Sequence, residues 1–130
     1  GLCDYICHPD VCLWRYPSID DSVRQLAERI ADLSVKYSIP VELNCGSGVR
    51  LGKKAYEDGN RYPYPTRAFF EIFARKHAPV IIGLDVHDPK LFLTDTYLNR
   101  ALEVTEGLDI NWQTDYDLVA HAKERKRLFF

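Results

Sequence analysis

The chain has 130 residues, of which 46% are hydrophobic and 28% charged, with a formal net charge of −2. That size supports one hydrophobic core of a globular domain, and the charge gives no electrostatic case for nucleic acid or an anionic membrane surface. No apolar run approaches the ~20 residues that cross a bilayer, and no signal-peptide pattern opens the chain, so a cytoplasmic protein is expected. The cysteines, Cys3, Cys7, Cys12 and Cys45, are even in number but too sparse for a disulfide-dense secreted scaffold, and are expected as reduced thiols. There is no methionine, and the chain opens with a strand already under way. It is therefore expected to be part of a longer protein.

In chain order, residues 4–8 read as a short buried strand. Ser18 with Asp21 resembles a capping box, and Ile19, Val23, Leu26, Ala27, Ile30 and Leu33 keep helical spacing, predicting a helix over 19–36. Pro40 precedes a strand over Val41–Cys45. A loop is expected over 46–65, rich in glycine, proline, tyrosine and basic residues. Pro65 fits a first helical position, followed by the apolar face of Phe69, Phe70, Ile72, Phe73 and Ala74. Pro79 leads into a strand over Val80–Leu84. A helix over 90–106 is stopped by Gly107, a short strand spans Asp109–Asn111, and a basic helix covers 115–128. This β-α-β-α-β-α order predicts an α/β fold of parallel strands, either an open sheet or part of a barrel.

The chemistry gathers where the predicted strands end. Asp85 and His87 stand at alternate positions after Val80–Leu84, which places them on one face if the strand continues. His8 ends another predicted strand, and the set His8, Asp85 and His87 suits zinc, iron or manganese. The bland reading has Asp85 capping the next helix and His87 as an ordinary loop histidine. Asp10 is open between ligand, orienting partner of an imidazole, and turn cap. Cys3, Cys7, His8 and Cys12 crowd together without zinc-knuckle spacing, and on a strand Cys7 and His8 would face opposite sides. Cys7 and Cys45 are accordingly expected in the core. Asn44-Cys45-Gly46-Ser47-Gly48-Val49-Arg50 resembles an anion-binding turn, with Arg50 and Arg15 as phosphate candidates. Glu42 shares a face with Asn44, as either a site group or a buried hydrogen-bond partner. Tyr56, Tyr62 and Tyr64, with Lys53 and Arg61, are expected to line a pocket mouth or pack the loop rather than to stack on nucleic acid.

His8-Pro9-Asp10, then Glu42-Leu43-Asn44 with Ser47-Gly48-Val49-Arg50, Tyr62-Pro63, and Gly83-Leu84-Asp85-Val86-His87-Asp88-Pro89 occur in that order. This ordered set resembles the PHP superfamily, and within it the histidinol-phosphate phosphatases. The resemblance implies a partial PHP-type distorted (β/α) barrel with parallel strands, with residues 1–130 as the C-terminal part of a single PHP-like domain. It implies a cluster of two or three divalent metal ions (Zn, Fe or Mn), with His8, Asp85 and His87 as metal ligands. Asp85 and His87 would also be catalytic, and Arg50, Asn44 and Arg15 would bind substrate. The implied reaction is phosphomonoester hydrolysis, with a metal-activated hydroxide attacking phosphorus in line and an acid such as Asp85 serving the leaving alkoxide. The implied substrate is L-histidinol phosphate, in histidine biosynthesis. Leu84 stands where that family commonly has serine. The family's first motif, a His-x-His pair on an N-terminal strand, has no counterpart among His8, His77, His87 and His121. The missing N-terminal half is therefore expected in cis or in trans. Two alternatives stay open: a non-catalytic PHP-like module that folds with a partner, and a PHP phosphoesterase acting on another phosphate ester.

Overall fold

The computed structural model describes residues 3–129, the last five of them by backbone alone. The strand expected over 4–8 is reduced to one parallel bridge, Ile6 to Val41, with Ile6 N–H donating to the Pro40 carbonyl and Glu42 N–H to the Ile6 carbonyl. It stops because His8 turns left-handed, at φ 43°. A 3-10 turn covers Val11–Trp14. Helix α1 spans Asp21–Tyr37, and its cap is Asp20, whose side chain accepts from Val23 N–H at 2.9 Å. Ser18 is not the cap: Ile19 lies outside the helix, its N–H held by Asp58 at 2.6 Å. The carboxylate three residues before Val23 reaches the free donor that Ser18 cannot.

Strand β1 (Val41–Asn44) follows and is buried along its whole length. The segment expected as loop holds three short elements: the single helical turn α2 (Ser47–Arg50) and the hairpin of β2 (Lys54–Tyr56) and β3 (Gly59–Arg61). Gly59, at φ 116°, supplies the backbone freedom the hairpin requires. Helix α3 runs Arg67–Arg75 from Thr66, so Pro65 sits before the cap rather than at the first helical position, and the Tyr64–Pro65 bond is cis. Strand β4 is Pro79–Gly83. The helix expected over 90–106 divides into a 3-10 turn, Pro89–Leu93, and α4, Thr96–Val104. Asp88 caps the turn by accepting from Lys90 N–H, and Thr94 is extended, which breaks the helical run. Strand β5 is Asn111–Trp112 and α5 is Leu118–Phe129.

The fold is α/β. Among the described residues the sheet is parallel, in the order β1–β4–β5, and no barrel closes. One face carries Val41, Leu43 and Val80, which join Val23, Ala27 and Ala31 of α1 and Phe69, Phe70 and Phe73 of α3 in one buried cluster. The Phe73 ring meets Phe69 and Phe70 edge-on at 5.7 and 5.4 Å. Pairing Asn44 with Gly83 brings the C-terminal ends of β1 and β4 to one level. Strand β5 pairs only with Pro79 and Val80, so the second half of β4 has an open edge, and Ile82 and Leu84 are each 43% exposed. Among the described residues no helix is long and apolar enough to cross a membrane.

Candidate metal centre

The rim is built from the residues that follow Ile6, β1 and β4. Asp85 lies between two imidazoles: His8 Nε2 is 3.5 Å from Oδ2 and His87 Nε2 is 3.0 Å from Oδ1. On its other side His8 Nδ1 is 3.8 Å from Glu42 Oε2, and the His8 backbone N–H donates to that same oxygen at 2.9 Å. Metal–ligand bonds of about 2.1 Å set neighbouring donor atoms roughly 3.0–3.4 Å apart. The Asp85 carboxylate offers one oxygen to each imidazole at ion-pair distance, but the donors of His8, Asp85 and His87 do not form a trio within 4.8 Å of one another among the described residues.

His8, Asp85 and His87 thus converge, but by a route other than strand alternation. β4 ends at Gly83, and Asp85 is left-handed at φ 49°. Among the described residues, four non-glycine residues have positive φ: His8, Ser38, His77 and Asp85. Ser38 caps α1 and His77 follows the cap of α3, which accounts for both. His8 and Asp85 close no helix. They hold a costly backbone state, of order 1–3 kcal/mol each, where two chain segments face one another.

Two glycines make room for the acids. A Cβ at Gly83 would overlap Glu42 Oε1, and one at Gly46 would overlap Asp85 Oδ2. Asn44 is hydrogen-bonded at both ends of its side chain: its amide donates to Glu42 Oε2 at 3.2 Å and its carbonyl accepts from Gly46 N–H at 2.7 Å. It thereby holds the carboxylate and the turn, and one amide N–H is left over. Arg50 donates to the Asp85 carbonyl at 3.3 Å and to Ser47 Oγ at 3.1 Å, so it steadies Asp85 while further N–H groups remain for an anion. Arg15 is exposed; its backbone N–H donates to the Leu13 carbonyl, and its side chain has no hydrogen bond or ion pair to the described residues. The structure does not bring it into the cluster.

Asp10 stands at the cap position of the 3-10 turn but makes no side-chain capping bond. It is buried, and its Oδ2 accepts from Thr66 N–H at 2.5 Å and Thr66 Oγ1 at 2.8 Å, fastening the segment after His8 to the start of α3. Burial pushes its carboxyl up to about 6, although the Thr66 donors favour the anion. Cys45 is buried as expected, and burial followed by the Glu42 charge pushes its thiol up to about 12. Cys7 is exposed instead of buried. The left-handed turn at His8 cancels the alternation that would have separated the two, and donor atoms of Cys7, His8 and Glu42 lie within 4.8 Å of one another. His77 and His121 line a separate cleft with Pro40 and Pro79, at the opposite end of the strands.

Two tyrosines of this rim carry no motif of their own. Tyr64, buried, packs edge-on against His8 with ring centroids 5.9 Å apart. Its hydroxyl is raised by burial and then by the Asp85 charge, although Gly48 N–H, Ser47 and Arg50 face it. Tyr5 is pushed up to about 12, first by its hydrogen bond and charge interaction with Cys7, then by burial and by Glu42 and Asp85. It keeps its proton throughout the neutral range. The signal for Tyr5 was its spacing two residues from Cys7; Tyr64 was expected to line a pocket mouth or pack the loop. The remaining loop aromatics pack: Arg61 stacks on Tyr56 at 3.6 Å, and Lys53 lies over Tyr62 and pairs with Glu103 at 2.5 Å.

A groove of about 580 Å³ lies elsewhere. It is apolar and runs along the open half of β4 between Ile81, Ile82, Leu102, Trp112 and Leu118. No protein-family model, curated protein or solved structure matches this chain.

Proposed function

We propose that this rim belongs to a metal-dependent phosphoesterase. Within that class, the order and spacing of the His8, Glu42–Arg50 and Gly83–Pro89 segments favour a phosphomonoesterase for L-histidinol phosphate, working in the cytoplasm with an N-terminal half supplied in cis or in trans. The observation that carries the reading is Asp85 standing between the Nε2 atoms of His8 and His87 at 3.5 and 3.0 Å, beside Glu42 and Arg50.

His8, Asp85 and His87 would hold divalent cations, with Glu42 on the other side of His8. Such cations supply Lewis acidity at phosphoryl oxygens and lower the pKa of coordinated water. Arg50 binds the phosphate with the N–H groups not used on Asp85 and Ser47. Tyr5, retaining its proton, would donate a hydrogen bond at the rim, and Asp85 would pass the proton given up by the attacking water to the departing alkoxide. A second reading, a non-catalytic module that folds with a partner, is favoured by the open edge of β4 and its exposed Ile82 and Leu84.

The test is phosphate release from L-histidinol phosphate and from an aryl phosphate after loading the protein with Zn²⁺, Mn²⁺ or Fe²⁺. Chelator-sensitive release is expected. Arg50→Ala should raise KM about tenfold or more with metal content unchanged, the loss of a charge-assisted contact. Metal loss in that variant would show that Arg50 acts through the Asp85 carbonyl. Release from the aryl phosphate alone moves the substrate to another ester. No release from either at full loading favours the non-catalytic module.

A further inference from the structure

The Cys7–His8–Glu42 group differs in chemistry from the His–Asp–His side of the rim, because it contains a thiol. Among the described residues it is the one trio of His, Cys, Asp and Glu donors whose atoms all lie within 4.8 Å of one another. Three features show that the arrangement is built. His8 adopts φ 43°, which is what lets consecutive residues direct their donors to one place. Glu42 is buried and held by His8 N–H and Asn44 Nδ2. Gly83 leaves the space that its carboxylate fills. Cys7 itself is exposed, and its thiol shares a hydrogen bond with Tyr5.

We propose that Cys7 is a metal ligand: its thiolate, His8 and Glu42 form a three-donor cation site, leaving a further position for water or substrate. The proposal rests on the reading of the rim as a metal centre and goes beyond it in assigning the sulfur. A thiolate with an imidazole and a carboxylate favours Zn²⁺ or Fe²⁺ over Mg²⁺ and Ca²⁺, which take oxygen ligands. Zn–S bonds near 2.3 Å and Zn–N bonds near 2.0 Å are shorter than the present spacing requires, so the Cys7 side chain moves inward as the ion binds. Binding releases the thiol proton to solvent, and affinity therefore rises with pH.

The experiment is anaerobic titration of the metal-free protein with Co²⁺, followed by optical absorption. Wild type should show cobalt d–d bands together with a thiolate-to-cobalt charge-transfer band in the near ultraviolet. Cys7→Ser should abolish the charge-transfer band and weaken Zn²⁺ binding at least about tenfold in competition with a chromophoric chelator. The Cys3→Ser/Cys12→Ser double variant should keep the band. Circular dichroism of each variant confirms that it is folded. Wild type with d–d bands but no charge-transfer band would overturn Cys7 as ligand and leave the metal centre standing, as would a band that follows Cys3 or Cys12. No Co²⁺ uptake at all would overturn both.

Discussion

On β1, Val41 and Leu43 face an apolar cluster, whereas Glu42 and Asn44, one residue along the same strand, face a rim of hydrogen-bonded polar groups. The helix-covered face is held by burial, which is non-directional and tolerates exchange among side chains of similar volume. The rim is held by directed hydrogen bonds, two left-handed residues and two glycines whose missing Cβ atoms are occupied by carboxylate oxygens. Stability therefore resides in the first region, and strain together with ligand-type chemistry in the second.

The largest expected effect lies on the apolar face. Phe73→Ala removes a buried ring packed on two others and should lower unfolding free energy by about 3–5 kcal/mol, read from the denaturant midpoint. A loss under about 1 kcal/mol would show that this face does not carry the fold. Gly83→Ala tests the rim alone. The new Cβ displaces Glu42, so metal affinity should fall roughly 10–100-fold, while overpacking costs about 1–3 kcal/mol of stability. Unchanged metal affinity in that variant would remove Glu42 from the centre.

The smallest effect joins the two regions at Asp10, whose carboxyl is raised from 3.8 to about 6. A raised carboxyl contributes stability that is fully present below the unfolded value and is lost as the pH climbs through about 6. Between pH 5 and pH 7 that loss is about 1 kcal/mol. Asp10→Asn keeps an oxygen for the Thr66 donors and should remove this component, flattening the pH dependence of Tm. A variant with the same slope as wild type would show that Asp10 titrates normally.

Much of the architecture was legible in sequence. Apolar periodicity marked α1 and α3, and apolar runs bounded by prolines marked β1 and β4, because both signals reflect burial of one face or of a whole strand. The ends of elements were less legible. Ser18 and Asp20 are both good caps, and only geometry decides which reaches Val23 N–H. The hairpin at 54–61 was hidden because neither strand is buried, so no alternation marks it. In the candidate site, His8, Asp85 and His87 were read as one set, while Cys7 was assigned to the core on strand alternation that His8 breaks.

By itself, then, the sequence determined an α/β chain with parallel strands ending in ligand-type residues, since residue type and spacing are local properties of the chain. Tertiary structure alone decided which polar groups meet: that Asn44 bonds Glu42 and Gly46, that Asp10 ties Thr66, and that Cys7 comes round to His8 and Glu42. Those outcomes depend on the register of β1 against β4 and on two backbone angles at the strand ends. Long-range pairing sets both, and no local pattern encodes them.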